Sequence, residues 1–199
     1  MALNFQYNKT FLHQLGRDLK VRQNALPTLL AKESALRLEV KLARTELQNT
    51  ERALDGLLAG LASMERLWPE FDFGLVAVEA IVRGGRKIAG VKVPFLDTIR
   101  FQEKPFSLFN APAWFPRGAD ALKRVLTLRV SRALASEKLR ILERARKKTT
   151  QKVNLYEKVQ IPEYQNAIRR IKRFLEDEDT LAKSSQKILK TRLVSGEAA

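Results

Sequence analysis

The sequence predicts a mainly α-helical protein. Two long helices, one N-terminal and one C-terminal, are expected to form an antiparallel left-handed coiled coil, with a small central insert containing a β-hairpin. Three observations predict this. Glycine and proline are crowded into the middle of the chain: Trp68 to Gly118 holds five of each, Lys9 to Leu67 has Pro27, Gly16, Gly56 and Gly60, and Ala119 to Val194 has only Pro162. Since these residues punctuate helices, the plan reads helix, compact insert, helix. Both flanks repeat apolar residues at heptad spacing, and the middle alone holds β-branched runs around a glycine pair. The partition is therefore residues 1–67, 68–118 and 119–199, the first and last forming one structural unit.

In the first flank one seam position reads Leu12, Leu19, Leu26, Glu33, Val40, Leu47, Leu54 and Leu61. The other reads Leu15, Arg22, Leu29, Leu36, Ala43, Thr50, Leu57 and Met64. Only Glu33, Arg22 and Thr50 are polar, and a period of 3.5 residues sustained this long indicates a coiled coil. As one helix, Lys9 to Leu67 would span roughly 90 Å. Asn8 or Thr10 is expected to cap its start, and Pro27 to kink it.

In the last flank the seam runs through Val125, Leu128, Ala135, Leu139, Leu142, Thr149, Val153 and Tyr156. It resumes in a different phase at Tyr164, Ile168, Ile171, Leu175, Ala182 and Leu189. The slip falls near Pro162, which points to a stutter or a kink. Two such helices bury their seams against each other in an intramolecular hairpin, or each pairs with a second copy of the chain; the short insert favours the hairpin.

In the insert, Val76–Val82 and Ile88–Val93 read as strands, with Arg83-Gly84-Gly85-Arg86 as the tight turn between them. Phe95 to Phe101 extends the sheet, and Phe106, Phe109, Trp114 and Phe115 are expected to pack beneath it as core or interface.

The composition narrows function. There is no cysteine and one histidine, His13, so disulfides, thiolate metal sites and multi-histidine centres are excluded. Glu176-Asp177-Glu178-Asp179 fans around a helix and reads as a solvated band. Gly84-Gly85 is not followed by the residues of a phosphate loop, and no metalloprotease, zinc, nucleophile-elbow or EF-hand spacing occurs. No catalytic residue, metal ligand or cofactor site is therefore expected. No apolar run is long enough for a membrane span. Residues 1–8 lack the basic start and apolar stretch of a secretory signal, so the cytoplasm is the expected location.

The net charge is +15, and it is uneven: Lys123 to Lys152 holds eleven basic and two acidic residues. Such a block suggests an acidic partner, which by charge alone is a nucleic acid, an anionic lipid or an acidic protein surface; a solvated helix face is the plain alternative. Arg144, Arg146, Lys147, Lys148 and Lys152 are the candidate interface residues.

One stretch is more specific. Thr149-Thr150-Gln151-Lys152-Val153-Asn154, then Glu157, Val159, Ile161-Pro162 and Ile168-x-x-Ile171, resembles the signature region of the D subunit of the V-type/A-type rotary ATPases. Leu29-Leu30-Ala31-Lys32-Glu33-Ser34-Ala35-Leu36 looks like that family's first-helix segment, and Gly90-Val91-Lys92-Val93-Pro94 looks like its element after the central hairpin. The family-motif positions are thus Lys32, Leu36, Gly90, Pro94, Val153, Asn154, Glu157, Ile161 and Pro162.

The resemblance implies a non-catalytic central-stalk rotor subunit, transmitting torque between ATP chemistry in a ring of A and B subunits and proton or sodium transport through the membrane rotor. The implied partners are the A and B subunits, the F subunit, and the funnel-shaped C/d subunit above the membrane ring, with the protein cytoplasmic and peripheral to the membrane. A basic coiled-coil nucleic-acid binder and a helical-hairpin adaptor are the competing classes; neither accounts for the Val-Asn…Ile-Pro stretch.

Overall fold

The structure is a computed structural model and describes residues 6–107, 109 and 111–196. Helix α1 (Lys9–Leu61) is followed by 3-10 turns at Ala62–Glu70 and Phe73–Leu75. Strands β1 (Val76–Ile88) and β2 (Val91–Glu103) come next. Helix α2 (Phe115–Asn154) passes through a π-helical turn, Leu155–Gln160, into α3 (Ile161–Gly196). Two long helical stretches flank one antiparallel hairpin, as the sequence predicts. The chain divides into two compact units: residues 1–31 with 149–199, and residues 32–148.

Asn8 is the N-cap of α1. Its side-chain oxygen accepts from the Phe11 N–H at 2.6 Å, one of the donors left without an intrahelical partner. The heptad reading of the first flank holds position by position, since all sixteen seam residues are buried or half-buried. The helix continues through Pro27. It ends earlier than expected, at Leu61, and the chain tightens into a 3-10 run to Glu70. Pro69 lies within that run, where it has no N–H to donate to the Glu65 carbonyl and disfavours α geometry at Trp68.

In the second unit α1 and α2 run antiparallel. Leu36, Val40 and Ala43 of α1 and Leu142 of α2 form a core that also takes in Val93 of β2. Leu36 and Leu142 are fully buried. Ion pairs flank this seam: Arg44 to Glu143 at 2.7 Å, Lys138 to Glu46 at 2.6 Å and Arg132 to Glu51 at 3.7 Å. In the first unit α1 and α3 are also antiparallel, with Leu15 packed among Tyr164, Ala167 and Ile171.

The hairpin turn is not where the glycine pair suggests. It lies at Ala89-Gly90, with φ of 47° and 77°. Two successive positive φ values make the two-residue turn whose twist suits a hairpin, and Ile88 pairs with Val91 across it. Gly84 and Gly85 lie inside β1. Gly84 is opposite Phe95, and a Cβ on Gly84 would stand 2.2 Å from the Phe95 ring. The glycine there serves close approach of an aromatic side chain rather than chain reversal. Register shifts at Val78/Ala80 and Val82/Arg83 insert bulges into the ladder.

A second core in this unit gathers Phe71, Leu75, Val76, Phe115 and Ala119, with Trp68, Phe101, Phe106 and Trp114 packed on it. Phe106, Trp114 and Phe115 therefore pack as expected. Phe109 does not: it lies in a turn closed by the Ala111 N–H donating to the Ser107 carbonyl at 3.1 Å, and its side chain is wholly exposed.

The last flank is helical throughout but not uniformly α. A proline at position 162 cannot donate to the carbonyl four residues back, and its ring crowds that carbonyl. The ladder widens instead: the Ile161 N–H donates to the Tyr156 carbonyl, five residues earlier. The seam slips with it, so that Tyr164, Ala167 and Ile171 are buried after Val153. Ala182 and Leu189 are exposed rather than buried. The opposing helix is already used up, because Phe11 and Leu12, near its first turn, pack with the cluster that includes Ile168 and Leu175.

Candidate partner-binding surfaces

Among the described residues no cluster of three or more His, Asp or Glu side chains is placed to hold a metal ion. No helix among them is long and apolar enough to cross a membrane. His13 and the acidic run 176–179 are exposed. What the fold offers is surface.

Arg144, Arg146, Lys147 and Lys148 lie near the end of α2 in the second unit, all exposed. Arg144 and Lys148, four residues apart, share one helix face. Lys152 is exposed on the part of α2 that belongs to the first unit. Among the described residues none of these five makes an ion pair, whereas Arg44, Arg132 and Lys138 are engaged across the seam. The unengaged charges are free for an external anionic group.

The family-motif residues separate into two groups. Lys32, Leu36 and Gly90, drawn from two distant stretches, come together in the second unit, while Pro94 pairs with Gly85 across the hairpin. Leu36 and Val93 share a core, and the Lys32 Nζ lies 3.5 Å from where a Gly90 Cβ would stand. Gly90 is fixed by its φ of 77°, which side-chain-bearing residues adopt rarely. Val153, Asn154, Glu157, Ile161 and Pro162 bracket the π turn in the first unit. Val153 is buried, Ile161 and Pro162 are half-buried, and Asn154 and Glu157 are exposed. Opposite the turn, Arg22 donates from Nε to the Gln160 side-chain oxygen at 3.0 Å, and its guanidinium lies 4.3 Å from the centre of the Tyr164 ring.

At the base of the hairpin, Lys123 of α2 reaches the Glu103 carboxylate of β2 at 2.7 Å and Asp120 at 3.6 Å. The hydrogen bond to Glu103 raises the lysine's proton affinity above its ordinary value, partial burial works against this, and the charges of Glu103 and Asp120 add to the rise. The sequence alone does not signal this clamp, and it signals the π turn only as a disturbance near Pro162.

A third feature was not foreseen. Beyond Leu175 every described side chain of α3 through Leu193 is exposed, including Leu181, Ile188, Leu189 and Leu193. A heptad stripe continues there without a covering helix among the described residues.

Paired antiparallel helices, an inserted hairpin and a helix face left uncovered among the described residues define a mainly helical coiled-coil protein. The match to a known family makes this specific: the model of the ATP synthase D-subunit family covers residues 11–191, and the chain belongs to that family. The V-type ATP synthase D subunit of Borreliella burgdorferi is 32% identical over 190 residues, 94% of this chain and 93% of the relative. The V-type ATP synthase D subunit of Chlamydia felis is 30% identical over 174 residues, 84% of this chain and 83% of its own. That of Chlamydia trachomatis is 28% identical over 174 residues, 84% of this chain and 85% of its own.

Proposed function

We propose that this chain is the non-catalytic central-stalk rotor subunit of a V-type/A-type ATPase or ATP synthase, carrying torque between ATP chemistry in an A/B ring and ion movement through the membrane rotor. The observation that carries the reading is the shielded heptad seam of the first flank, all sixteen positions of it, in a chain of the D-subunit family. A helix whose apolar stripe is continuously covered by antiparallel neighbours resists bending and twisting, as a torque-bearing element must. Each large seam residue contributes about 1.5–3 kcal/mol on full burial.

The partners in this reading are the A and B subunits, the F subunit, and the funnel-shaped C/d subunit, on the cytoplasmic side and peripheral to the membrane. Contact with the ring is assigned to Arg144, Arg146, Lys147, Lys148 and Lys152 and to the chain ends. Two features support the assignment: those charges have no ion-pair partner among the described residues, and Leu181, Ile188, Leu189 and Leu193 are exposed. Charge attraction without fixed pairing is weakly directional, which suits a surface that must turn past its neighbours.

The test is co-expression of the tagged chain with the A, B and F subunits of its own source, followed by size-exclusion chromatography and an ATPase assay. Co-elution near three A, three B, one D and one F, with turnover dependent on this chain, is expected. Reversing the charges of Arg144, Arg146, Lys147 and Lys148 together should weaken assembly or coupling. Exclusion from the complex, together with salt-sensitive retention on nucleic acid, would overturn the reading in favour of a basic coiled-coil binder.

A further inference from the structure

A groove in the first unit is not used by anything described above. It lies between α1 and α3, has a volume of about 430 Å³, and is floored by Leu12, Gly16 and Ile168. Its walls carry His13, Arg17 and Lys20 from α1 and Lys172 from α3, and no acidic side chain. Leu12 and Ile168 are half-buried at the edge of the core around Leu15, while the four wall side chains are exposed. A Cβ at Gly16 would meet nothing within 4 Å, so no packing inside the chain calls for a glycine there, and its effect is to deepen the groove. Positions 13, 16, 17 and 20 recur at three- and four-residue spacing, as do 168 and 172, so each helix presents them on one face.

Both helices that build the groove bring the same sign of charge to it. From Lys9 to Lys20, α1 carries Lys9, Arg17 and Lys20 against one acid, Asp18. Asp18 is two residues from Gly16 and two from Lys20, which puts it on the opposite side of the helix. From Tyr164 to Leu175, α3 carries Arg169, Arg170, Lys172 and Arg173 and no acid at all. The flanking acids of α3, Glu163 and Glu176, do not line the groove, Glu176 lying a full turn beyond Lys172. Arg17, Lys20 and Lys172 are in no ion pair among the described residues.

We propose that this groove is a docking site for an acidic amphipathic helix of a partner protein, with an apolar anchor seated over Gly16 between Leu12 and Ile168 and carboxylates facing Arg17, Lys20 and Lys172. Two helices in contact leave a furrow that a third fills with anchors at three- and four-residue spacing. The cationic walls set the sign of the partner's flanks. The floor selects a protein over a nucleic acid: it is aliphatic, and no aromatic side chain among the described residues lines it as a platform for a base. The +15 charge of the chain disfavours a second copy as the occupant. The inference depends only on the chain working within a larger assembly, not on its turning there.

The probes are two synthetic helical peptides with identical leucine positions, one bearing glutamate and the other glutamine at the polar positions. Binding to the full chain is read by fluorescence anisotropy near physiological salt. The glutamate peptide is expected to bind at least tenfold more tightly than the glutamine peptide. Arg17→Gln with Lys172→Gln should remove most of that preference, while Arg52→Gln with Arg66→Gln, two exposed cations of the other unit, should change it less than about twofold. Gly16→Leu fills the groove without altering charge and should weaken the glutamate peptide about tenfold; with open space at that Cβ and a better helix former in place, the variant stays folded, as circular dichroism checks. Equal loss on neutralising either pair of cations overturns the proposal, since attraction is then diffuse, and so does a glutamate peptide indifferent to Gly16→Leu. A single-stranded oligonucleotide of matched charge that binds more tightly than the peptide and is displaced by Gly16→Leu would overturn it by assigning the groove to nucleic acid. Self-association in sedimentation that Gly16→Leu removes would do so by assigning it to a second copy. None of these outcomes uses ring subunits, so failure here is separate from failure of the rotor reading.

Discussion

Leu36 is one of three large side chains that are fully buried among the described residues, with Leu142 and Ile171. It belongs to a core shared by three elements: α1 through Val40 and Ala43, α2 through Leu142, and β2 through Val93. Leu36→Ala removes the buried methyl groups and leaves a void whose walls belong to two helices and a strand, so no one element closes it by moving. Buried leucine-to-alanine changes cost about 2.7–5 kcal/mol, more where the site cannot collapse, and about 4 kcal/mol is expected here. For a chain of this size each kcal/mol lowers the melting midpoint by about 2–4 °C, so a fall of about 8–16 °C should be seen by far-ultraviolet circular dichroism. Leu38→Ala, two residues on and 57% exposed, is the internal control and should change stability by less than about 0.5 kcal/mol. Because Val93 shares the cavity, the amides of Val91 and Val93 should exchange faster in Leu36→Ala while those of β1 near Val76, in the other core, stay protected. Equal effects of the two substitutions, or a loss at Leu36 well below the range for buried leucines, would refute the reasoning.

Gly84→Ala places a methyl group inside the Phe95 ring's space and should cost about 1–3 kcal/mol; Phe95→Ala in the same chain should recover much of it in a double-mutant cycle. Asn8→Ala removes the cap on Phe11 and should lower stability by about 1 kcal/mol, with Asn8→Asp retaining it in thermal melts. Lys123 is held protonated first by its hydrogen bond to Glu103, so its contribution is fully present below the ordinary lysine value of 10.5 and is lost as pH rises through its higher folded value. The gap in stability between the natural chain and Lys123→Met should therefore be constant from neutral pH up to the ordinary lysine value and close above it; a gap that closes on mild acidification instead would contradict the assignment.

Periodicity made the helices legible because it is a property of one chain solved by one geometry. Sixteen positions at heptad spacing have a common solution, a shared buried face, and the structure adopts it. The hairpin was legible in kind but not in register. Gly84-Gly85 and Ala89-Gly90 both satisfy local rules for a turn, and only the Phe95 ring, brought opposite Gly84 by the pairing itself, decides that the first pair belongs in a strand. Pro162 announced a disturbance correctly, while its form, a π turn with the Ile161 N–H bound to Tyr156, is one of several a proline can impose, and periodicity does not choose among them. Among the aromatics, Phe109 and Phe115 are indistinguishable by composition, and a turn closed by Ser107 and Ala111 puts one in water. Arg144, Arg146, Lys147, Lys148 and Lys152 are singled out by the density of basic charge, and their side chains are exposed.

A seam made only of leucines does not fix its own register, since a slide by one heptad replaces each contact by an equivalent one. In the first unit Arg22 breaks that equivalence. It occupies a seam position, donates to Gln160 at 3.0 Å, lies over the Tyr164 ring and donates to the Asp18 carbonyl at 2.9 Å. Gln160 closes the π turn and Tyr164 is the first buried residue after it, so Arg22 is keyed to an irregular turn of the opposing helix. Thr50, also polar and in the seam, hydrogen-bonds to its own helix at Glu46 and Leu47 and carries no such information. Arg22→Leu should therefore leave stability unchanged or raised, as replacing a half-buried charge by an apolar side chain commonly does, while loosening alignment. The natural chain has no cysteine, so introduced pairs report register directly. Cysteines at Leu15 and Ile171 should cross-link in both backgrounds, and a pair displaced by one heptad, at Leu15 and Glu178, should cross-link only when Arg22 is leucine. If the displaced pair stays unlinked in Arg22→Leu, register is set by the summed fit of the apolar residues, and the polar key is incidental to it.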